Sequence, residues 1–356
     1  MHFIQSKKKL FAISLVCVTG AAQAQSSVTM YGVADLGVRN ASGLDAANAA
    51  SSGNTNSVGS GINTTSRLGF RGVEDLGGGL KAVFNLESGW NLDTGMPNSK
   101  FFDRASWVGL QGNWGSLGLG RQTTVLADAL SGTDPLGNRF AGFNPNIQVA
   151  ALSAHRLGVE YGPTGSSSGA YRLDNSIKYT GRFDALTVRA MHGLGEQAGS
   201  SSALSSSGVS LRYDRDGYTA TLAYGDFSAA KNLDLKAYLA GLSGKLGKGK
   251  LFVTYGVNEA QTSATALTEN STLGLGAQFP ISSQLNLVAA YYKVDRSRTG
   301  SADDGFNRMV AFAEYTLSKR SLVYLEADRT NWKNNYQGAS NKPSATGFAA
   351  GIKHNF

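Results

Sequence analysis

The chain has 356 residues, of which 45 are glycine, 6 are proline and 1 is cysteine, and its formal net charge is +8. This charge is mild and its basic residues are not in runs, so we expect no nucleic-acid partner. Only three histidines and no cysteine follow residue 24, which argues against a transition-metal site, and we expect no cofactor.

The first 24 residues have the layout of a cleaved export signal. Lys7, Lys8 and Lys9 precede an apolar stretch over 10–18, and the stretch 22–24, Ala-Gln-Ala, is a small-x-small cleavage site. The apolar stretch is too short to cross a bilayer as a helix, which takes about 20 residues. Cleavage after Ala24 removes three lysines, no acids and the only cysteine, and leaves a net charge of +5 for residues 25–356.

Alternation of apolar and polar residues is the dominant pattern beyond residue 24. In the first such segment, Val28, Met30 and Leu36 share one parity, whereas Thr29 and Asp35 share the other. No apolar run is long enough for a membrane-spanning helix, so a membrane protein with this sequence would be a closed barrel. The pattern predicts an all-β chain with strands at 28–38, 65–73, 79–88, 102–111, 115–121, 174–180, 185–192, 208–213, 218–226, 236–244, 250–257, 270–278, 284–294, 306–316, 321–330 and 346–356.

The number of these segments and their connections both favour a membrane barrel. Sixteen is an even number, which antiparallel closure of one chain requires, and such a barrel is wide enough for a water-filled channel. Short turns rich in glycine and aspartate alternate with long polar connections at 40–64, 193–207, 258–269, 295–305 and 331–345. Membrane barrels have short turns on one side and long loops on the other.

The connection over 122–173 departs from this alternation of short turns and long loops, because it is much longer and contains no clear pair of strands. A structureless connection of about 50 residues is uncommon in a compact domain and is usually functional. The pattern alone leaves two interpretations open. The segment is either a loop that folds into the barrel and narrows it, or a loop on the surface.

The last predicted strand, 346–356, ends on an aromatic residue. Phe348, Ala350 and Ile352 share an apolar face with Phe356. An apolar strand at the edge of a soluble sheet invites aggregation, whereas the closing strand of a membrane barrel can place a terminal aromatic residue at the bilayer interface. We predict that Phe356 is an assembly signal.

Several segments resemble the general diffusion porins of the beta-proteobacterial type. The most specific are 66–82, which reads Ser-Arg-Leu-Gly-Phe-Arg-Gly-Val-Glu-Asp-Leu-Gly-Gly-Gly-Leu-Lys-Ala, and 351–356, which reads Gly-Ile-Lys-His-Asn-Phe; weaker matches lie at 27–35, 107–110, 119–122, 175–179 and 317–320. The resemblance implies a 16-stranded antiparallel transmembrane β-barrel with an inward-folded third loop at 122–173. It also implies export through the periplasm to the outer membrane of a Gram-negative cell, and a homotrimer surrounded by outer-membrane lipids, among them lipopolysaccharide.

The resemblance also implies arginines on the barrel wall at the narrowest point. They correspond to Arg67 in Ser-Arg-Leu-Gly-Phe, Arg104 in Asp-Arg-Ala-Ser-Trp and Arg172 before Leu-Asp-Asn-Ser-Ile-Lys-Tyr. Alternation independently turns Arg67 towards the lumen, because its neighbours Leu68 and Phe70 take the other face.

The remaining charges of the predicted constriction come from the strand pattern and from the long connection. Lys81 points to the lumen by parity, and Asp128 and Asp134 are the acidic residues that the loop offers opposite the arginines. Because the cations outnumber these two carboxylates, we predict passive diffusion of small hydrophilic solutes and ions with a weak preference for anions.

Three alternatives compete with this interpretation. The strongest is an outer-membrane channel that is specific for one anionic or polar nutrient, which would line its path with a selective track of side chains. An outer-membrane enzyme would need a nucleophile activated by a base, and the sequence does not present a recognisable pair, so we predict no enzymatic activity. A secreted adhesin or β-solenoid would show a short regular repeat, and none is found.

Overall fold

The computed structural model describes residues 26–97, 100–140, 144–150, 171–228 and 233–356, with backbone alone at 148–150. The predicted signal, 1–24, and part of the long connection lie outside these residues. The strands are β1 (Ser27–Leu44), β2 (Ala50–Ser60), β3 (Arg67–Gly77), β4 (Leu80–Asn91), β5 (Met96–Pro97), β6 (Ala105–Gly112), β7 (Gly115–Thr123), β8 (Arg172–Phe183), β9 (Leu186–Gly193), β10 (Ser206–Arg215), β11 (Tyr218–Ser228), β12 (Asp234–Leu246), β13 (Gly249–Gln261), β14 (Leu267–Pro280), β15 (Leu285–Arg298), β16 (Ser301–Thr316), β17 (Ser321–Lys333) and β18 (Ser344–Asn355).

These strands form a closed antiparallel barrel with sixteen strand positions. The barrel closes between β18 and β1, from Val33 opposite Asn355 to Ser42 opposite Thr346. One position is shared by β2 and β3, because β1 pairs with β3 along its first half and with β2 along its second. The two-residue β5 pairs with β4 beside the ring, in which β4 pairs directly with β6. The predicted 16-stranded antiparallel barrel is confirmed.

The two faces of the strands and the two ends of the barrel differ as membrane barrels require. Exposed apolar side chains cover the outward face, among them Val28, Leu110, Leu242 and Leu325. At the short-turn end, the connection between β10 and β11 is Asp216-Gly217, with φ of 53° and 86° at the two positions. A two-residue hairpin loop with both φ values positive is a type I′ turn, which matches the twist of the flanking strands.

The long-loop end differs from the prediction in that strands replace several expected loops. The range 40–64 holds the end of β1 and all of β2, and the range 295–305 is a hairpin in which β15 reaches Arg298 and β16 begins at Ser301. β2 and the hairpin between β15 and β16 carry polar residues on both faces, so their sequence lacks alternation although their backbones still pair. The expected loops at these two places are therefore wrong.

Two short helices lie in the connection between β7 and β8: α1 (Val125–Leu130) and α2 (Pro145–Ala150). The Thr124 side chain caps α1 by accepting a hydrogen bond from the Ala127 N–H at 3.1 Å. Its five apolar residues are all buried, so neighbouring chain covers most of the helix, and its sixth residue, Asp128, stays partly exposed. None of the helices in the described part of the chain is long and apolar enough to cross a membrane.

Candidate functional site

The connection between β7 and β8 packs against the inside of the barrel. We call Thr124–Phe140 together with Asn144–Ala150 the inner loop. Its apolar residues form two buried clusters with the wall: Leu126 and Leu130 pack with residues such as Phe227 and Leu235, and Phe140 packs with residues such as Phe312. The inner loop therefore occupies lumen space, and it lies along the strands from β9 to β17.

Glycines in the wall make room for the inner loop. Gly276 faces the lumen from β14, and a Cβ added there would collide with Pro135. On β12, a Cβ at Gly241 would lie 2.5 Å from the Oγ1 of Thr133, closer than real contacts allow. A larger residue at either position would displace the loop, so these two glycines are needed for the loop to pack closely against the wall.

Asp134 fixes the middle of the inner loop to the wall. Its carboxylate accepts hydrogen bonds from the Asn138 N–H at 2.8 Å, from Asn144 Nδ2 at 2.9 Å, from Asn146 Nδ2 at 3.0 Å and from the Tyr292 hydroxyl of β15 at 3.1 Å. The side chain is 0% exposed, and this burial raises the pKa of the Asp134 carboxyl, while the four donated hydrogen bonds oppose the rise. Asp134 does not face the aqueous lumen, and its prediction as an acid of the constriction needs correction on this point.

A second anchor joins the inner loop, at Arg139, to β16 of the barrel wall. Arg139 forms an ion pair with Glu314 of β16, and the same carboxylate accepts a hydrogen bond from Asn63 Nδ2 at 2.7 Å. Lys353 of β18 donates to the Oδ1 of Asn63 at 2.9 Å. Charged groups on this side of the lumen are therefore used to hold the loop.

On the opposite side, β3, β4, β6, β7 and β8 leave a polar wall that the described inner loop does not cover. Glu87 of β4 lies between two arginines there: its Oε1 is 2.5 Å from Arg104 Nε and its Oε2 is 3.6 Å from Arg67 Nε. The Tyr31 hydroxyl donates to the same Oε2 at 2.9 Å. The side chains of these three charged residues are 14 to 26% exposed, so water and ions in the lumen reach them.

Arg172 completes this group, which we call the arginine cluster: Arg67, Arg104 and Arg172. Arg104, Glu87, Arg172 and Lys178 line one lumen cavity of about 320 Å³. The Nε of Arg172 is buried and has no hydrogen-bond partner among the described residues. The structure therefore brings together the three arginines that the sequence singled out.

Further charges lie beside the cluster. Asp128 of α1 is 2.9 Å from Lys178 Nζ and 3.7 Å from Arg189 Nε, so this loop carboxylate is paired with the wall beside the cavity. Asp174 pairs with Lys100 at 2.5 Å and with Arg121 at 2.6 Å. Of the predicted acids, Asp128 lies near the cluster and Asp134 does not.

Lys81 lies away from the arginine cluster. It is exposed, and it is opposite Asp75 next to the short turn between β3 and β4. Glu87 lies six positions further along β4, which at about 3.3 Å per residue is roughly 20 Å.

Sequence reasoning missed Glu87, Lys178, Arg189, Arg121 and Asp174 as members of the site. Glu87 shares the parity of Lys81 and so belongs to the lumen face, and the same pattern turns Lys178 inward because its neighbour Ile177 faces outward. What the pattern could not show is that these charges from separate strands come to one level of the barrel.

A closed 16-stranded barrel with an apolar outer face, a polar inner wall and a loop packed inside is the architecture of an outer-membrane diffusion channel. A family model described as Gram-negative porin matches residues 12–335. An outer membrane porin protein of Bordetella pertussis (strain Tohama I) is 30% identical across 98% of this chain and 100% of its own length. The major outer membrane protein P.IB of Neisseria meningitidis (strain H44/76) is 25% identical over the same share of each chain.

Among solved structures, an anion-selective porin from Comamonas acidovorans superimposes with a TM-score of 0.79 at 26% identity, and the match covers 93% of this chain and 100% of that chain. The chain belongs to the Gram-negative porin family. It is a porin of the Gram-negative outer membrane, and the prediction of its class and location from sequence is confirmed.

Proposed function

We propose that this porin passes small hydrophilic solutes and ions with a weak preference for anions, that its constriction lies between the arginine cluster and the inner loop, and that it has no enzymatic activity. The observation that supports the preference is the charge around the cavity. Among the described residues there, Arg67, Lys100, Arg104, Arg121, Arg172, Lys178 and Arg189 are seven cations, and Glu87, Asp103, Asp128 and Asp174 are four acids.

The physical basis of this preference is the sign of the local field. Loop carboxylates facing free wall arginines would produce a transverse field with little net sign. Here the loop offers no free carboxylate among the described residues, because Asp134 is buried and Asp128 is paired with Lys178. The excess of cations raises the local concentration of anions, and salt screens this effect over about 8–10 Å near physiological ionic strength.

The anion-selective porin from Comamonas acidovorans agrees with this proposal as a similar structure. No feature of the described lumen favours a channel that is specific for one nutrient. Such a channel would bind its solute, so its conductance would saturate at low solute concentration, whereas diffusion through a wide aqueous pore is expected to rise in proportion.

The test replaces the whole arginine cluster, Arg67→Ser, Arg104→Ser and Arg172→Ser, in one variant. Reversal potentials across planar bilayers in a salt gradient should shift towards cations, and the shift should be larger at low salt. A matched control changes the same amount of charge at exposed positions near the short-turn end, Arg182→Ser, Arg215→Ser and Arg320→Ser. Equal shifts in the two variants would mean that the cluster is not at the constriction.

Three further proposals come from the sequence. We propose cleavage after Ala24, which N-terminal sequencing of the exported protein would test. We propose a homotrimer, supported by the resemblance and by small or apolar outward residues such as Ala34 and Leu36 on β1. Light scattering in detergent should give three chains per particle, and a stable conducting monomer would contradict this.

We also propose that Phe356 promotes barrel assembly. Its N–H and carbonyl both pair with the backbone of Gly32, at 3.1 and 3.0 Å, next to the seam between β1 and β18. Deletion of Phe356 should lower the amount of heat-modifiable, folded protein in outer membranes, and normal accumulation of the deletion variant would refute the assembly role.

A further inference from the structure

The outward face of β14–β17 carries a row of four alanines. Cross-strand pairing places Ala277 opposite Ala289, Ala289 opposite Ala311 and Ala311 opposite Ala327, and Phe348 of β18 follows Ala327 in the same row. The row towards the long-loop end holds Leu275, Tyr291, Met309 and Arg329, all larger than alanine, and the row towards the short-turn end holds Phe279, Leu287 and Leu325 with one further alanine, Ala313.

The small side chains leave a groove between these rows. Two adjoining hollows, of about 1290 and 730 Å³, lie over it and share four alanines and Phe348, and the larger one continues past β18 to Val38 of β1 and Val58 of β2. Their lining is mostly apolar, and the large apolar residues beside it, such as Met309 at 59% and Leu325 at 63%, are exposed. We call this surface the alanine groove.

Three cations lie at the long-loop rim of the alanine groove. Arg329 is in the row directly above the alanines, and Lys293 and Lys333 follow in the next two rows. One carboxylate is shared by the lysines: Asp295 is 2.8 Å from Lys293 Nζ and 4.0 Å from Lys333 Nζ. Arg329 donates from Nε to Asn331 Oδ1 at 3.2 Å and forms no ion pair with a described residue. Another acid, Glu269, is opposite Ser297, a further row away from the groove.

We propose that the alanine groove and its three cations bind a phosphorylated lipid of the outer leaflet, lipopolysaccharide, with acyl chains in the groove and a phosphate on Lys293, Arg329 and Lys333. Charge complementarity supports lipopolysaccharide as the ligand. Cations on the outer face of the barrel lie above an apolar groove, and lipopolysaccharide has an anionic head and apolar tails. The inference rests on the outer-membrane location of the porin and does not depend on its ion selectivity.

The face formed by β11–β13 provides an internal contrast. There Lys236 lies between Asp226 and Glu259 on the neighbouring strands, so two acids flank one cation. The hollow beneath is smaller, about 470 Å³, and Tyr224, Tyr238 and Tyr255 line it. This face has the same strand architecture but lacks both the row of alanines and the excess of cations.

The experiment measures binding of purified lipopolysaccharide to the full porin after delipidation in detergent. The test variant is Lys293→Ala, Arg329→Ala and Lys333→Ala together, and the control is Lys236→Ala. We expect binding by the triple variant to be at least about tenfold weaker and binding by the control to equal that of the wild type. A second triple variant that keeps the three charges, Lys293→Arg, Arg329→Lys and Lys333→Arg, should bind lipopolysaccharide as the wild type does.

Two further measurements distinguish the contribution of the lipid phosphate to binding from that of the acyl chains. Lipopolysaccharide treated with phosphatase should bind the wild type about as weakly as the intact lipid binds the triple variant. Ala289→Leu with Ala311→Leu, which fills the groove, should lower the number of lipids retained per porin. Equal binding by the wild type and the triple variant would overturn the proposal, as would a second porin chain cross-linked at Arg329→Cys in membranes.

The result of the lipid-binding experiment is independent of the anion preference proposed above. All of these substitutions lie outside the lumen, so conductance and reversal potential should stay at wild-type values, which also shows that each variant is folded. Loss of lipid binding with unchanged conduction supports the lipid site. Absence of anion preference in the wild type would affect the proposed function and leave the lipid site standing.

Discussion

The two sides of the lumen use charged residues in different ways. On the covered side, which runs from β9 to β17, Asp134 and Glu314 are bonded between the inner loop and the wall, and Asp134 has no exposure at all. On the open side, Glu87 bonds to wall residues only and stays partly exposed to the lumen. Charge on the covered side therefore fixes the position of the loop, whereas charge on the open side stays accessible from the lumen, where we propose that it acts on passing solutes.

The largest effect is expected from Asp134→Ala. The substitution leaves three amide or N–H donors and the Tyr292 hydroxyl without their buried acceptor, and each unsatisfied group costs about 1–3 kcal/mol. The inner loop should detach in part, so single-channel conductance should become larger and noisier, and added protease should cut the loop while the barrel stays intact.

Asp75→Ala is the matched control, because Asp75 is an exposed aspartate that accepts one hydrogen bond, from the N–H of Gly77, in a short turn. Wild-type conductance and protease resistance in the Asp134→Ala porin would show that the apolar clusters and the Arg139–Glu314 ion pair hold the loop without Asp134.

The barrel could be predicted from sequence because lipid on one side and water on the other impose alternation on every strand that crosses the membrane. β2 was not predicted, since its sequence, Ala-Ser-Ser-Gly-Asn-Thr-Asn-Ser-Val-Gly-Ser, is polar on both faces and pairs beyond the apolar band. α1 was also not predicted, because six mostly apolar residues carry no readable period.

The sequence likewise predicted one part of the candidate site and not another. Resemblance located Arg67, Arg104 and Arg172, and the structure brings them together. It could not distinguish the two loop acids, since Asp128 and Asp134 differ only in what surrounds them: a wall lysine in one case, and four hydrogen-bond donors at a fully buried position in the other. Such surroundings come from strands that are distant in sequence.

An intermediate effect is expected on the open side from Glu87→Gln. The amide keeps the shape of the side chain but removes the negative charge between Arg67 and Arg104, so the field of the cluster becomes more positive. Anion preference should increase, with the reversal potential moving opposite to that of the arginine-cluster variant, and conductance should change little. Glu269→Gln, an acid on the outward face of β14, is the control. A Glu87→Gln porin with less anion preference than the wild type would mean that the two arginines lose their positions without the carboxylate.

The smallest effect is expected from Lys81→Ser. Lys81 faces the lumen by parity, but it lies roughly 20 Å along β4 from the level of Glu87, near the short-turn mouth and opposite Asp75. The screening length is about 10 Å at 0.1 M salt and about 30 Å at 0.01 M, so its charge reaches the arginine cluster only in dilute salt. Reversal potentials should therefore match the wild type at 0.1 M and shift slightly towards cations at 0.01 M. A shift at 0.1 M as large as that of a single Arg104→Ser substitution would place the narrowest part of the ion path near the short-turn mouth, away from the arginine cluster.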